Sequence, residues 1–348
     1  MNTRKKKIRF AGGAMVFFLA IVFWFCLGCS GASKAEQQEQ TIRGQAVTVT
    51  TTPAITETPE KKVAVAWGKK TASIKAGKKY TFQIKADGAN VPAAGVTWSV
   101  SNKKYATITK KGVLKGKRMG TVTVKAKYAG TTLTCKVKIK PKRIIGIDAG
   151  HQASANSGLE PMGPGSSTMK AKVAGGTCGV SSRVPEYQFT LKVAKALKKE
   201  LVSRGYQVVM TRTKNNVNIS NKERAVKINK SGADICIRLH GDGGSSSAKG
   251  ASALYPSAGN PYVGKLSKKS LKLSKCIMTT YCKETGINNR GCIQRDDLTG
   301  TNWSTVPVTL IELGFMTNPS EDLYMQSASG QKSMVKGLAD GIDNYFGY

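Results

Sequence analysis

Histidine is almost absent from this chain of 348 residues: only His151 and His240 occur. Acids are scarce as well, with Asp+Glu 20 against Lys+Arg 55 and a formal net charge of +35. Such an excess excludes a neutral surface and points to polyanionic surroundings: nucleic acid, a membrane surface or an anionic cell envelope. After residue 29 the cysteines never form a Cys-x-x-Cys pair, so a thiolate zinc site is not indicated. Disulfide connectivity cannot be read from the spacing. Cys236 lies inside an apolar run and reads as a small core residue. Between residues 61 and 142 no segment has a helical period. The same stretch holds one acid, Asp87, against 21 Lys+Arg, which places +20 of the +35 there.

What is present starts with length: 348 residues fit two domains plus extensions, and 40% hydrophobic residues suffice for ordinary cores. Arg4, Lys5, Lys6, Lys7 and Arg9 precede an uncharged run over 10–27, the form of an export signal. The run exceeds the ~7–15 residues of a typical signal core and reaches the lower edge of the ~17–25 that span a bilayer. Leu27-Gly28-Cys29 resembles the end of a bacterial lipobox, with Cys26 where that motif usually has Leu. Lipidation at Cys29, an uncleaved membrane anchor and ordinary cleavage with release to the cell wall all put the remainder outside the cytoplasm. Nucleic acid then drops out as a partner. Residues 30–60 are rich in Gln, Glu, Thr, Ala and Pro without apolar period, the composition of a disordered tether. The expected organisation is a signal or anchor at 1–29, a linker at 30–60, a β-sandwich at 61–141 and a catalytic domain at 142–348.

The segment from Lys61 carries short runs rich in β-branched and aromatic residues, among them Val96-Thr97-Trp98-Ser99-Val100 and Thr121-Val122-Thr123-Val124. Glycines punctuate them at 77, 88, 95, 112, 116, 120 and 130. Short strands at this spacing predict a small all-β sandwich. The pattern resembles a bacterial immunoglobulin-like domain of the second group, which implies display or wall contact. Its lysines blunt sheet edges or hold the protein electrostatically on teichoic acids or anionic lipids.

From Arg143 onward strands and helices alternate, which predicts an α/β fold: a mainly parallel twisted sheet with helices on both faces. Ser220-Asn221-Lys222-Glu223 is a capping box that opens a helix. Both histidines stand at strand tips, His151 after Ile147-Asp148-Ala149-Gly150 and His240 after Ile237-Arg238-Leu239. Loops at strand ends are where α/β sheets place ligand-handling residues. Two histidines with a carboxylate are a usual ligand set of catalytic zinc. Glu186 opens the helix expected to pack on the first strand, although an acid there also suits the helix dipole. Glu312 is embedded among Val308, Leu310, Ile311 and Leu313. Burying a carboxylate is costly without a metal or partner.

Asp148-Ala149-Gly150-His151, Glu186, Leu239-His240 and Glu312-Leu313-Gly314-Phe315-Met316-Thr317-Asn318 together resemble the zinc-dependent N-acetylmuramoyl-L-alanine amidases of the third family. The resemblance covers nearly all of 143–346. It implies Zn2+ held by His151, Glu186 and His240, with Glu312 as catalytic acid/base, and peptidoglycan as substrate. The implied reaction hydrolyses the amide between N-acetylmuramic acid and the first L-alanine of the stem peptide. Asp148 is expected to orient a ligand. Ala149 and Gln152 stand where the family usually has Pro and Gly, and Gly241-Asp242 replaces the usual Ala-Asn or Ala-Asp. The long 152–185 insertion is expected to fold over the zinc as a lid or to bind the glycopeptide. A zinc carboxypeptidase or endopeptidase acting on peptidoglycan, and a non-catalytic wall-binding lipoprotein, are the competing readings.

Overall fold

The computed structural model describes Lys61–Tyr348. The export signal, the lipidation motif at Cys29 and the tether at 30–60 lie outside the described residues. Among the described residues no helix is long and apolar enough to cross a membrane.

The first part is all β. Its strands are β1 (Val65–Lys69), β2 (Ser73–Lys75), β3 (Lys79–Thr81), β4 (Gln83–Ala86) and β5 (Ala89–Asn90). They continue as β6 (Thr97–Val100), β7 (Ala106–Ile108), β8 (Val113–Gly116), β9 (Gly120–Tyr128) and β10 (Thr131–Lys140). Three small sheets result, in the orders β1-β4-β5, β2-β10-β9-β6 and β3-β8-β7. Successive side chains of a strand point to opposite faces, and the sequence uses this. Val122, Val124, Val137 and Ile139 turn inward with Phe82 and Leu114, while Lys125, Lys127, Lys136 and Lys138 stand exposed between them. The lysine surplus is therefore compatible with a dry core. Phe82 is buried between β3 and β4, where the chain passes from one sheet to another.

The second part holds a six-stranded sheet in the order β14-β11-β15-β18-β16-β17. These strands are β11 (Ile144–Ala149), β14 (Gln207–Met210), β15 (Ile235–Asp242), β16 (Ala251–Tyr255), β17 (Asn289–Gln294) and β18 (Val308–Phe315). All neighbours run parallel except β16 and β18, which pair antiparallel. A separate hairpin, β12 (Asn156–Pro161) with β13 (Met169–Val173), lies within the 152–185 insertion. The helices are α1 (Glu186–Ser203), α2 (Asn221–Lys230), α3 (Ser267–Thr285), α4 (Thr299–Asn302), α5 (Pro319–Gln326) and α6 (Ala328–Phe346).

Strand parity decides which helix covers which face. Ile145, Ile147, Ile235, Ile237 and Leu239 join one core with Phe189 and Leu197 of α1, Ile277 of α3 and Leu338 of α6. Residues of the other parity, Ile144 and Cys236, pack with Ile228 of α2 and with Val308. Cys236 is accordingly buried, as its apolar surroundings predict. The same parity carries Asp148, Arg238, His240 and Glu312 toward the carboxyl ends of three adjacent central strands. His240 lies opposite Glu312 in the β15–β18 register, and Asp148 opposite Arg238 in the β11–β15 register.

Candidate metal centre

Glu186 is the first residue of α1, and its carboxylate turns back to the sheet edge. Its Oε1 lies 3.2 Å from His151 Nε2 and 3.1 Å from His240 Nδ1. Those two nitrogens are 3.1 Å apart, which closes a nearly equilateral triangle of donor atoms. The three residues are the one group of His, Cys, Asp and Glu among the described residues placed to hold a metal ion. His151 and Glu186 are fixed from behind. His151 Nδ1 donates to the Ala174 carbonyl at 2.8 Å, which leaves Nε2 as the acceptor. Gly241 N–H and Thr177 N–H donate to the two Glu186 oxygens at 3.0 and 2.9 Å. Nε2 of His240 is buried and has no hydrogen-bond partner.

The electrostatics follow from this crowding. Burial opposes the charge on Glu186, but the hydrogen bonds from His151 and His240 win and hold its carboxyl well below the usual range. Burial also opposes the charge on His151, and the Glu186 carboxylate more than offsets it, so that pKa rises. For His240 burial prevails and the pKa falls.

Glu312 sits inside β18, one strand from His240, and its Oε2 is buried without a partner. Burial, then the negative charges of Glu186 and Asp242, push its carboxyl well above the ordinary value, with Arg238 and Arg295 only partly offsetting them. It is therefore not a carboxylate neutralised by a salt bridge.

Sequence reasoning missed the group that positions His151. Arg212, Arg224 and Arg238 are all nearly fully buried. Arg212 donates to the Ala149 and Gly150 carbonyls at 3.0 and 2.9 Å, and Arg224 to the His151 carbonyl at 2.8 Å. These bonds hold His151 at φ 56°, a left-handed conformation that a non-glycine residue seldom adopts unsupported. Burial and then the Arg224 charge bring the Arg212 pKa down to about 10. Asp148 does not touch either histidine, contrary to expectation. It accepts from Thr211 at 2.7 Å and from Arg224 and Arg238 at 3.0 Å each. Burial would raise its carboxyl, but the two arginines bring it far below the usual range. The available signal was an arginine between Ile237 and Leu239 in an apolar strand, the same anomaly that singles out Glu312.

The other motif residues have local reasons. A Cβ on Gly150 would lie 2.5 Å from Cε1 of His240, so only glycine fits there. Asn318 caps α5, its side chain accepting from Ser320 and Glu321 N–H. The insertion is tied down through Asp322, which accepts from Ser181 and Ser182 N–H at 2.9 and 2.7 Å. Lys170, Ala171 and Val173 of β13 line a cavity of about 260 Å3 beside His151 and His240.

A parallel α/β sheet with a two-histidine, one-carboxylate donor set at its carboxyl edge is a layout suited to metal-dependent hydrolysis. Residues 145–344 match the family described as N-acetylmuramoyl-L-alanine amidase, and the chain belongs to that family. It is an amidase, with peptidoglycan as its substrate class. Residues 63–137 match the bacterial Ig-like domain of group 2. The chain is 28% identical over 229 residues to N-acetylmuramoyl-L-alanine amidase Rv3717 of Mycobacterium tuberculosis, covering 62% of this chain and 93% of that protein. It is 28% identical over 173 residues to the probable cell wall amidase LytH of Staphylococcus epidermidis, covering 48% of this chain and 54% of LytH. Among solved structures it is similar to the amidase Ami1 of Mycobacterium smegmatis, at TM-score 0.55 and 25% identity over 60% of this chain and 98% of that one.

Proposed function

We propose that the chain is a zinc amidase that cleaves the bond between the lactyl group of N-acetylmuramic acid and the first L-alanine of the stem peptide. The observation that carries this reading is the donor triangle beside an unpartnered, buried Glu312. Its edges of 3.1–3.2 Å suit a tetrahedral ion bonded at ~2.0–2.2 Å. The set of two neutral imidazoles and one carboxylate is also the chemistry that zinc favours. His151 Nε2, Glu186 Oε1 and His240 Nδ1 would hold the ion. When bound, zinc supplies a Lewis acid that polarises the scissile carbonyl and brings the pKa of a water toward ~7.

The chain's own residues do the rest. Glu312 takes a proton from the attacking water, and its buried setting makes that carboxylate a stronger base than one in solvent. The same carboxyl then delivers the proton to the departing alanine nitrogen. His151 stays oriented through Ala174, and the arginine-bonded loop keeps its backbone from relaxing.

The enzyme acts in the cell envelope. Export through the N-terminal segment, with lipidation at Cys29 or a retained anchor, would place it there. The basic Ig-like module would then retain it on teichoic acids or anionic lipids. Its exposed lysines predict wall binding that weakens steeply as salt rises.

The test is digestion of isolated peptidoglycan by the zinc-loaded protein, followed by labelling of newly exposed amino groups. Zinc-dependent release of N-terminal alanine is expected. A different labelled residue would move the cleaved bond and remove the amidase assignment of this site.

A further inference from the structure

The cavity beside the donor triangle has a charged floor. Arg238 lines it and is only 5% exposed. Its Nε donates to Asp148 at 3.0 Å and its Nη2 to Asn221 at 3.1 Å. Nη1 makes no hydrogen bond to any of the described residues. The cavity wall approaches the guanidinium closely: a Cβ on Gly300 would sit 2.5 Å from Cζ and 2.9 Å from Nη1. On the rim, Lys170 Nζ donates to the Asp297 carbonyl at 2.6 Å and lies 3.4 Å from its carboxylate. That carboxylate is already held by Arg295 at 2.8 and 2.9 Å.

The charge behind this floor does not balance. Asp148 alone serves both Arg224 and Arg238, and Arg212 beside them is bonded to carbonyl, amide and hydroxyl oxygens only. Three buried guanidinia thus share one directly hydrogen-bonded carboxylate, and Arg238 otherwise feels only the more distant Glu312. Buried charge without a partner is costly, and an anion arriving at the cavity side of Arg238 would relieve that cost. A planar carboxylate matches the guanidinium fork.

We propose that Arg238, with Lys170 at the rim, forms an anion subsite that takes the free α-carboxylate of the second stem residue. This rests on the amidase reading above. In a peptidoglycan stem the residue after L-alanine is a glutamyl unit joined through its side chain, so its α-carboxyl is either free or amidated. Arg238 and His240 are two residues apart on one face of β15, roughly 6.6 Å. One alanyl residue, about 3.8 Å between successive Cα atoms, plus the carboxyl-bearing carbon spans that interval. Arg238 is a specificity residue in this account, and the reacting atoms remain with Glu312 and the triangle.

The experiment compares two synthetic muramyl tripeptides that differ only at the second residue, D-isoglutamate or D-isoglutamine, as substrates of the full zinc-loaded chain. The acid should be preferred by at least about tenfold in kcat/KM. Arg238→Gln and Lys170→Gln should each bring the acid-to-amide ratio toward one. Because Arg238→Gln also strips a partner from Asp148, Lys170→Gln serves as the variant that leaves the buried cluster intact. Equal rates on the two substrates with the unaltered protein would overturn the subsite and leave the amidase standing. A preference unchanged in both variants would overturn it as well. Cleavage of neither substrate would instead remove the reading on which the subsite rests.

Discussion

Gly150 and His240 are a matched pair: the imidazole of one occupies the space that any side chain on the other would need. A Cβ at position 150 would lie 2.5, 2.6 and 2.7 Å from Cε1, Nε2 and Nδ1 of His240. The glycine in front of His151 therefore exists for the other histidine, on the neighbouring strand. Both loops must be right at once for the donor triangle to close.

Gly150→Ala should push the imidazole off its position while leaving the sheet folded. We expect zinc affinity to fall by about 10–100-fold, the range for changes in groups that orient metal ligands, with a small change in Tm. Zinc titration of the purified variant checks this. Full metal affinity with unaltered turnover would mean that the ring has room the geometry denies it.

Glu312→Gln preserves shape and removes the base. Zinc content should match that of the unaltered protein, and kcat should fall by about 10²–10⁴-fold, the usual contribution of a positioned general base. Stability should not drop, because a neutral amide is easier to bury than a carboxylate without a partner. Retained turnover on peptidoglycan would take the catalytic role from this residue.

Asp148 predicts an acid-dependent loss of stability. Its folded pKa is depressed, so it contributes stability that is fully present above the unfolded value of about 3.9. That contribution is lost progressively as pH falls below about 5 toward the folded value. Glu186 and Asp297 share this sense, so the informative quantity is the difference between proteins. Asp148→Asn should cost about 3–5 kcal/mol at pH 7, because it leaves Arg224 and Arg238 without a counter-charge. It should also flatten the decline of unfolding free energy between pH 5 and 3. Urea titrations across that range decide the matter, and an unchanged slope would show that Asp148 is not the linked group.

How much of this was legible depends on the kind of signal. Apolar runs ending in histidine gave β11 and β15, because a buried parallel strand is a near-continuous hydrophobic run. Glu312 stood out by being an acid in such a run. The capping box at Ser220 and Glu223 formed as read, with both reciprocal bonds present. The hairpin of β12 and β13 was not legible, since β12 is largely exposed without alternation and β13, though it alternates, leaves Met169 and Ala171 exposed and half-buries its lysines. The arginine cluster hid among 55 basic residues, where Arg212 and Arg224 look like ordinary surface charges. Only tertiary packing turns them inward. Asp148 was read as a support for a metal ligand, yet strand parity directs it to Arg238 across the register.

Gly146 offers a test of the packing that sets this parity. It lies in β11 where α2 crosses, and a Cβ there would stand 2.5 Å from Cγ2 of Ile228. Gly146→Ala should destabilise by about 1–3 kcal/mol, the usual cost of overfilling a close-packed core. Ile228→Ala alone opens a void and should cost about 2–5 kcal/mol. Combined, the alanine at 146 enters space that Ile228 vacated, so the double variant should be more stable than the sum of the single effects by 0.5 kcal/mol or more. Chemical denaturation of the four proteins measures that coupling. Strict additivity would mean that α2 does not press on β11 at this point, and the register that aims Asp148 and Arg238 at each other would need another cause.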